Sequence, residues 1–168
     1  MSEHVDDHAS VVSGRDTGGH MHESSAAPMV PLVIGGIEST TLDVGALVDS
    51  VRRDDCGGIV VFEGTVRSPN QGHQVLALEY EAWEDRVPAQ LDAFARGAAE
   101  RHGLGAALAV HRVGRVEVGD AAVVVVAVSA HRDVAFVAAS ELIDQVKAEG
   151  WIWKKELRAD GEIWIDGC

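Results

Sequence analysis

The run AAVVVVAVSA, Ala121 to Ala130, constrains the fold more than any other stretch of this chain. It is uncharged and rich in valine, whose branched Cβ suits a pleated strand, and it has about half the length a bilayer span needs. It therefore reads as a buried strand, and the rest of the chain must enclose it. A length of 168 residues, 46% of them hydrophobic and 24% charged, leaves room for one domain with its own core.

The flanking segments alternate in type. From Pro31 a short strand, PLVIGG, leads into STTLDVGALVDSVRRDDCGG, where Leu42, Leu47, Val48 and Val51 recur near helical spacing and Gly57 and Gly58 stop the element. GIVVFEGTVR, Gly58 to Arg67, is a β-branched strand, SPNQGHQ a Pro/Asn/Gly turn, and VLALEYEAW a second strand. DRVPAQLDAFARGAAERHG puts Val87, Leu91, Phe94, Ala95 and Ala98 on one helical face, with Pro88 in the first turn and Gly103 as the stop. AALAVHRVG and the valine run follow as strands joined through RVEVGD. A long helix from about Asp133 ends at Gly150, and the tail WIWKKELRADGEIWIDGC gives a strand, a turn at Asp160 and Gly161, and another strand. Several strands pair through short turns, so the class expected is α+β, a single-domain sandwich of mostly antiparallel strands with two or three packed helices. Residues 1 to about 30 are rich in Ser, Gly, Asp and His and poor in large apolar side chains, so they read as a disordered tail ahead of a domain over 31–168.

Charge narrows the function. A formal net charge of −13 opposes general affinity for nucleic acid or an anionic membrane, so an anionic ligand needs a local cationic pocket. The three lysines of the chain, Lys147, Lys154 and Lys155, fall within nine residues, with Trp151 and Trp153 among them. On a strand Lys154 and Lys155 point to opposite faces, so one can face a pocket while the other faces solvent or pairs with Glu156. The tryptophans share the face opposite Lys154 and read as core or interface material.

The junction VSAHRDVAF delivers His131 and Arg132 to a helix start, where free N–H groups and an arginine fork suit a phosphate; pairing of Arg132 with Asp133 explains the pattern equally well. Arg67 ends its strand beside the SPNQG turn, another place for a cation to clamp an anion. Glu63, Glu79 and Glu81 read as solvent-facing or cross-strand partners, and His111 and Arg112 as structural. Dinucleotide and P-loop fingerprints are absent, and the spacing of His4, His8, His20 and His22 is too irregular for a fixed metal site. Cys56 and Cys168 suggest no disulfide framework and read as free thiols, and with no basic start or apolar h-region at the N-terminus the expected compartment is the cytoplasm.

The stretches GGIVVFEGTVRSPNQG, LEYEAW, VHRVGRVEVGD, VSAHRDVAF and WIWKKELRADGEIW, in that order, resemble the large, catalytic subunit family of molybdopterin synthase over about Gly57 to Trp164. The resemblance implies a hammerhead-like fold and a homodimer flanked by two copies of a small ubiquitin-like sulfur carrier, a heterotetramer. It implies a sulfurtransferase of molybdenum cofactor biosynthesis that converts cyclic pyranopterin monophosphate to molybdopterin, with sulfur from the carrier's C-terminal Gly-Gly thiocarboxylate. It implies neither a metal nor another cofactor for this step. By matching position, substrate binding falls on Thr65, Val66, Arg67, His131, Arg132, Lys147, Lys154, Lys155 and Glu156. Arg67, His131 and Arg132 would hold the phosphate and pterin, with Lys147 and Lys154 as the catalytic pair lining the sulfur-transfer site. Whether a lysine orients the thiocarboxylate, stabilises developing charge or moves a proton stays open, and a non-catalytic relative or a plain interaction module are the competing readings.

Overall fold

A computed structural model describes residues 30–148 and 150–165. The proposed tail over residues 1 to about 30 and the thiol of Cys168 therefore lie outside the described residues, apart from Val30.

The valine run forms β6 (Ala121–Ser129), and the chain reaches it through β1 (Leu32–Glu38), α1 (Val44–Ser50), β2 (Gly58–Thr65), β3 (Val75–Ala82), α2 (Val87–His102), β4 (Ala106–Arg112) and β5 (Gly114–Glu117). After β6 come α3 (Arg132–Ala148), β7 (Ile152–Arg158) and β8 (Gly161–Ile165). The strands form two four-stranded sheets, β1-β4-β6-β2 and β5-β3-β7-β8. Only β1 and β4 pair in parallel; every other pairing is antiparallel, so the expected α+β class holds.

Every residue of β4 and β6 is buried, because these are the central strands of the first sheet. One face, carrying Ala107, Ala109, Val123, Val125 and Ala127, packs under α2 and α3 with Leu91, Ala95, Leu142 and Val146. The other, carrying Leu108, Val110, Val124, Val126 and Val128, is covered by the segment around α1 through Leu42, Leu47, Val48 and Val51. Strand alternation thus sends successive valines into two separate clusters. Helix α2 lies so close to β1 that a Cβ on Gly35 would run into the backbone of Leu91 and Asp92. Gly103 ends α2 in the left-handed region, φ 60°, as expected of a glycine stop.

Two elements differ from their sequence reading. The helix expected to run to Gly57 and Gly58 is only seven residues, capped by Asp43, whose carboxylate accepts from the Ala46 N–H at 3.0 Å. Beyond Val51 the chain turns, Arg53 gripping Asp55 through two 2.8 Å hydrogen bonds, and Gly58 already belongs to β2. The connector RVEVGD contributes most of β5, which pairs with β3 in the second sheet, Leu78 opposite Val116 and Tyr80 opposite Gly114. Four residues are too few for alternation to show in the sequence, and the pairing with β3 supplies what the local pattern lacks.

Candidate functional site

A cleft of about 460 Å³ opens where the end of β2 meets the second sheet and the end of α3. Its apolar wall is Phe62, Leu78, Tyr80, Val123 and Val146, and Gly64 keeps it open: a Cβ there would stand 2.6 Å from a Val123 methyl and 3.3 Å from the Phe62 ring. Three cations border it from three elements. Arg67 follows β2, Lys147 sits in the last turn of α3, and Lys154 lies on β7 opposite Tyr80. Among the described residues none of the three has a carboxylate within ion-pair distance, in a chain of net charge −13. Lys147 Nζ stands 5.5 Å from the centroid of the Phe62 ring, a cation–π contact that holds it at the cleft wall.

Beneath these cations runs a polar brace. Glu156, 1% exposed, takes Arg158 Nε at 2.8 Å and Nη2 at 2.5 Å on one oxygen, and Asn70 Nδ2 at 2.5 Å on the other. Asn70 Oδ1 in turn accepts from Arg67 Nη2 at 3.3 Å. The turn after β2 is thereby tied to β7, and Arg67 is oriented from below. Burial raises the Glu156 pKa, but the hydrogen bonds from Asn70 and Arg158 and the nearby cations outweigh it, so the carboxyl is held below its ordinary value.

Thr65, Val66, Arg67, Lys147, Lys154 and Glu156 all border this cleft. Lys155 does not. It emerges on the other face of β7, 3.3 Å from Glu79 and 3.1 Å from Glu162, with the Trp164 ring centroid at 5.4 Å. The pairing of one lysine with Glu156 considered from sequence is replaced by these two carboxylates, because strand alternation puts Glu156 on the Lys154 side. Glu79 is the cross-strand partner expected, whereas Glu63 borders the cleft. Trp151 packs against the main core, and Trp153, on the Lys155 face, is half exposed.

His131 and Arg132 stand apart. Antiparallel pairing of β2 with β6 sets Gly58 opposite Ser129 and Thr65 opposite Ala121. The start of α3 therefore lies beside Gly58, where a Cβ would be 3.1 Å from Arg132 Cα, seven strand residues from Thr65 or roughly 23 Å. Both side chains are exposed, and within one chain they do not share the phosphate seat with Arg67 that the sequence reading gave them.

Sequence reasoning passed over Asn70, Phe62 and Tyr80 and read His111 as structural, yet all four border the cleft. For His111 there was a signal: a lone histidine ending the apolar strand AALAV. It is 3% exposed, its Nδ1 lies 2.7 Å from the Arg112 carbonyl oxygen, and its ring meets Tyr80 edge to face at 4.8 Å. Arg112, read as structural, is so: it binds Asp120 at 3.0 Å and the Arg115 carbonyl at 3.0 Å. No group of three or more His, Cys, Asp or Glu side chains fit to hold a metal ion occurs among the described residues, and none of their helices is long and apolar enough to cross a membrane.

Residues 37–149 match the family described as MoaE protein. A protein of Oryza sativa subsp. indica, the molybdopterin synthase catalytic subunit, is 42% identical over 126 residues, which are 75% of this chain and 65% of the rice protein. The chain thus spans somewhat under two thirds of that relative. The crystal structure of molybdopterin synthase from Staphylococcus aureus superposes with a TM-score of 0.73 at 28% identity, covering 78% of this chain and 96% of that one. A complex of subunits 1 and 2 of molybdopterin-converting factor from Helicobacter pylori contains a chain of the same fold, with a TM-score of 0.64 at 21% identity, covering 77% and 88%.

Proposed function

The chain belongs to the MoaE protein family of molybdopterin synthase catalytic subunits, and on that premise we propose that it is a sulfurtransferase making molybdopterin from cyclic pyranopterin monophosphate. The observation that carries this is the convergence of Arg67, Lys147 and Lys154 from three elements on one cleft with an apolar wall. Such a site fits a substrate with an anionic group on a flat body, and it leaves two lysines to steady charge on the phosphate oxygen as its bond to carbon breaks and on the carrier's carboxyl group as its carbon–sulfur bond breaks. The sulfur donor is the C-terminal thiocarboxylate of a small carrier subunit, in keeping with the two-subunit complex in which the Helicobacter chain of like fold occurs.

Thr65, Val66, Arg67, Lys147, Lys154 and Glu156 form the substrate site in this reading, with Lys147 and Lys154 catalytic and Glu156 acting through Arg67 and Lys154. Lys155 supports the strand from its other face. His131 and Arg132 belong to the substrate-binding set of a homodimer: set some 20 Å or more from Arg67 in their own chain, they meet the phosphate at the cleft of the second copy. With two carriers the assembly is a heterotetramer, and its compartment is the cytoplasm.

Reconstitution tests the proposal. Purified protein, thiocarboxylated carrier and cyclic pyranopterin monophosphate should yield molybdopterin, and Lys147→Ala or Lys154→Ala should reduce the yield at least about a hundredfold. Full activity of both variants would remove the site assignment, and no product with a competent carrier would remove the sulfurtransferase.

A further inference from the structure

The cleft holds one buried polar group that the sulfur-transfer scheme does not use. His111, the penultimate residue of β4, lies on the face that also carries Ala107 and Ala109, opposite Val123, and borders the cleft while 97% of its surface is covered. Its tautomer is fixed by chemistry. The Arg112 carbonyl 2.7 Å from Nδ1 can only accept, so Nδ1 carries the proton. Nε2 is then a bare lone pair, and no described residue donates to it. Burial also pushes the imidazole pKa down to about 4, so the ring stays neutral at physiological pH.

An acceptor in an otherwise apolar wall selects its ligand. Phe62, Leu78, Tyr80, Val123 and Val146 exclude water from a flat ring, and the cations at Arg67, Lys147 and Lys154 take an anionic group. An unfilled acceptor among them penalises a ring that brings no donor, since the lone pair would be desolvated without a partner. We propose that His111 Nε2 accepts a hydrogen bond from a ring N–H or amino group of the substrate's heterocycle, making His111 the residue that distinguishes a donor-bearing heterocyclic phosphate from a bare phosphate. This rests on the substrate class proposed above and adds to it the edge by which the heterocycle is held.

Calorimetric titration of the full chain and of His111→Phe with cyclic pyranopterin monophosphate, and separately with inorganic phosphate, tests it. The variant should bind the pterin phosphate about tenfold more weakly and phosphate unchanged. Equal loss for both ligands, or none, overturns the role of His111. Failure of the unmutated protein to bind the pterin phosphate overturns the substrate class and this inference with it. Should His111→Phe not fold, the unmutated protein labelled with 15N-histidine still decides. The Nε2 resonance should move on adding the pterin phosphate and stay still with phosphate alone; no movement, or movement only with a carrier-tail peptide, overturns the proposal.

Discussion

Lys154 and Lys155 are consecutive in sequence, yet they stand on opposite faces of β7: Lys154 borders the cleft with Tyr80, and Lys155 is held between Glu79 and Glu162. Their substitutions should therefore separate cleanly. Lys154→Ala is expected to cut sulfur transfer by about a hundredfold with an unchanged melting temperature, and Lys155→Ala to leave turnover within about twofold. Molybdopterin yield and thermal melts on the two variants check this, and equal activity loss would place both on one face.

Glu156 is a buried carboxylate whose neighbours hold it ionised, so the partner that leaves matters. Arg158→Ala removes both bonds to one oxygen and leaves the carboxylate hydrogen-bonded by Asn70 alone, with only the charge of Lys154 nearby, at a cost of about 3 kcal/mol. Asn70→Ala should cost less stability but loosen Arg67, raising KM several-fold with a smaller change in kcat. Urea unfolding and steady-state kinetics on the pair distinguish the two effects.

The stability of the protein should fall as pH is lowered from 6.5 towards 4, and His111 is the reason. Its folded-state pKa of about 4 lies below the ordinary 6.5, so over that window the unfolded chain binds a proton that the folded chain refuses. Protons taken up on unfolding make stability rise with pH, by about 3 kcal/mol across the window for this one group. Glu156 acts in the same direction only at more acid pH, its carboxyl being depressed from 4.5. Comparing denaturant unfolding at several pH values for the wild type and His111→Gln should show a much flatter slope in the variant.

Gly35→Ala should be among the most damaging single methyl additions in the chain. The new Cβ meets the α2 backbone at Leu91 and Asp92, which no rotamer change relieves, and a cost of about 3 kcal/mol is expected. The neighbouring Gly36 has nothing within 4 Å of the same position and serves as the control: Gly36→Ala should leave the unfolding midpoint almost unchanged.

How much of this was legible in the sequence depended on how local the cause is. The valine run, the apolar face of α2 and its glycine stop follow from periodicity and backbone preference, which act within a few residues, and the opposed faces of Lys154 and Lys155 follow from the period of a strand. The family resemblance rests on contiguous motifs and is equally local. The cleft is not. Arg67, Lys147 and Lys154 meet because β3 pairs with β7 while β2 pairs with β6, and these registers join residues from 56 (Thr65 and Ala121) to 83 (Val75 and Arg158) positions apart. The same pairing carries His131 and Arg132 to the far end of the sheet, although the sequence placed them beside Arg67 in function. His111 looked structural because only the packing of the second sheet against β4 decides that its ring borders a cavity. The sequence determined which elements form and which cations are available; long-range strand pairing, fixed by burial of apolar faces, decided which of them share a site.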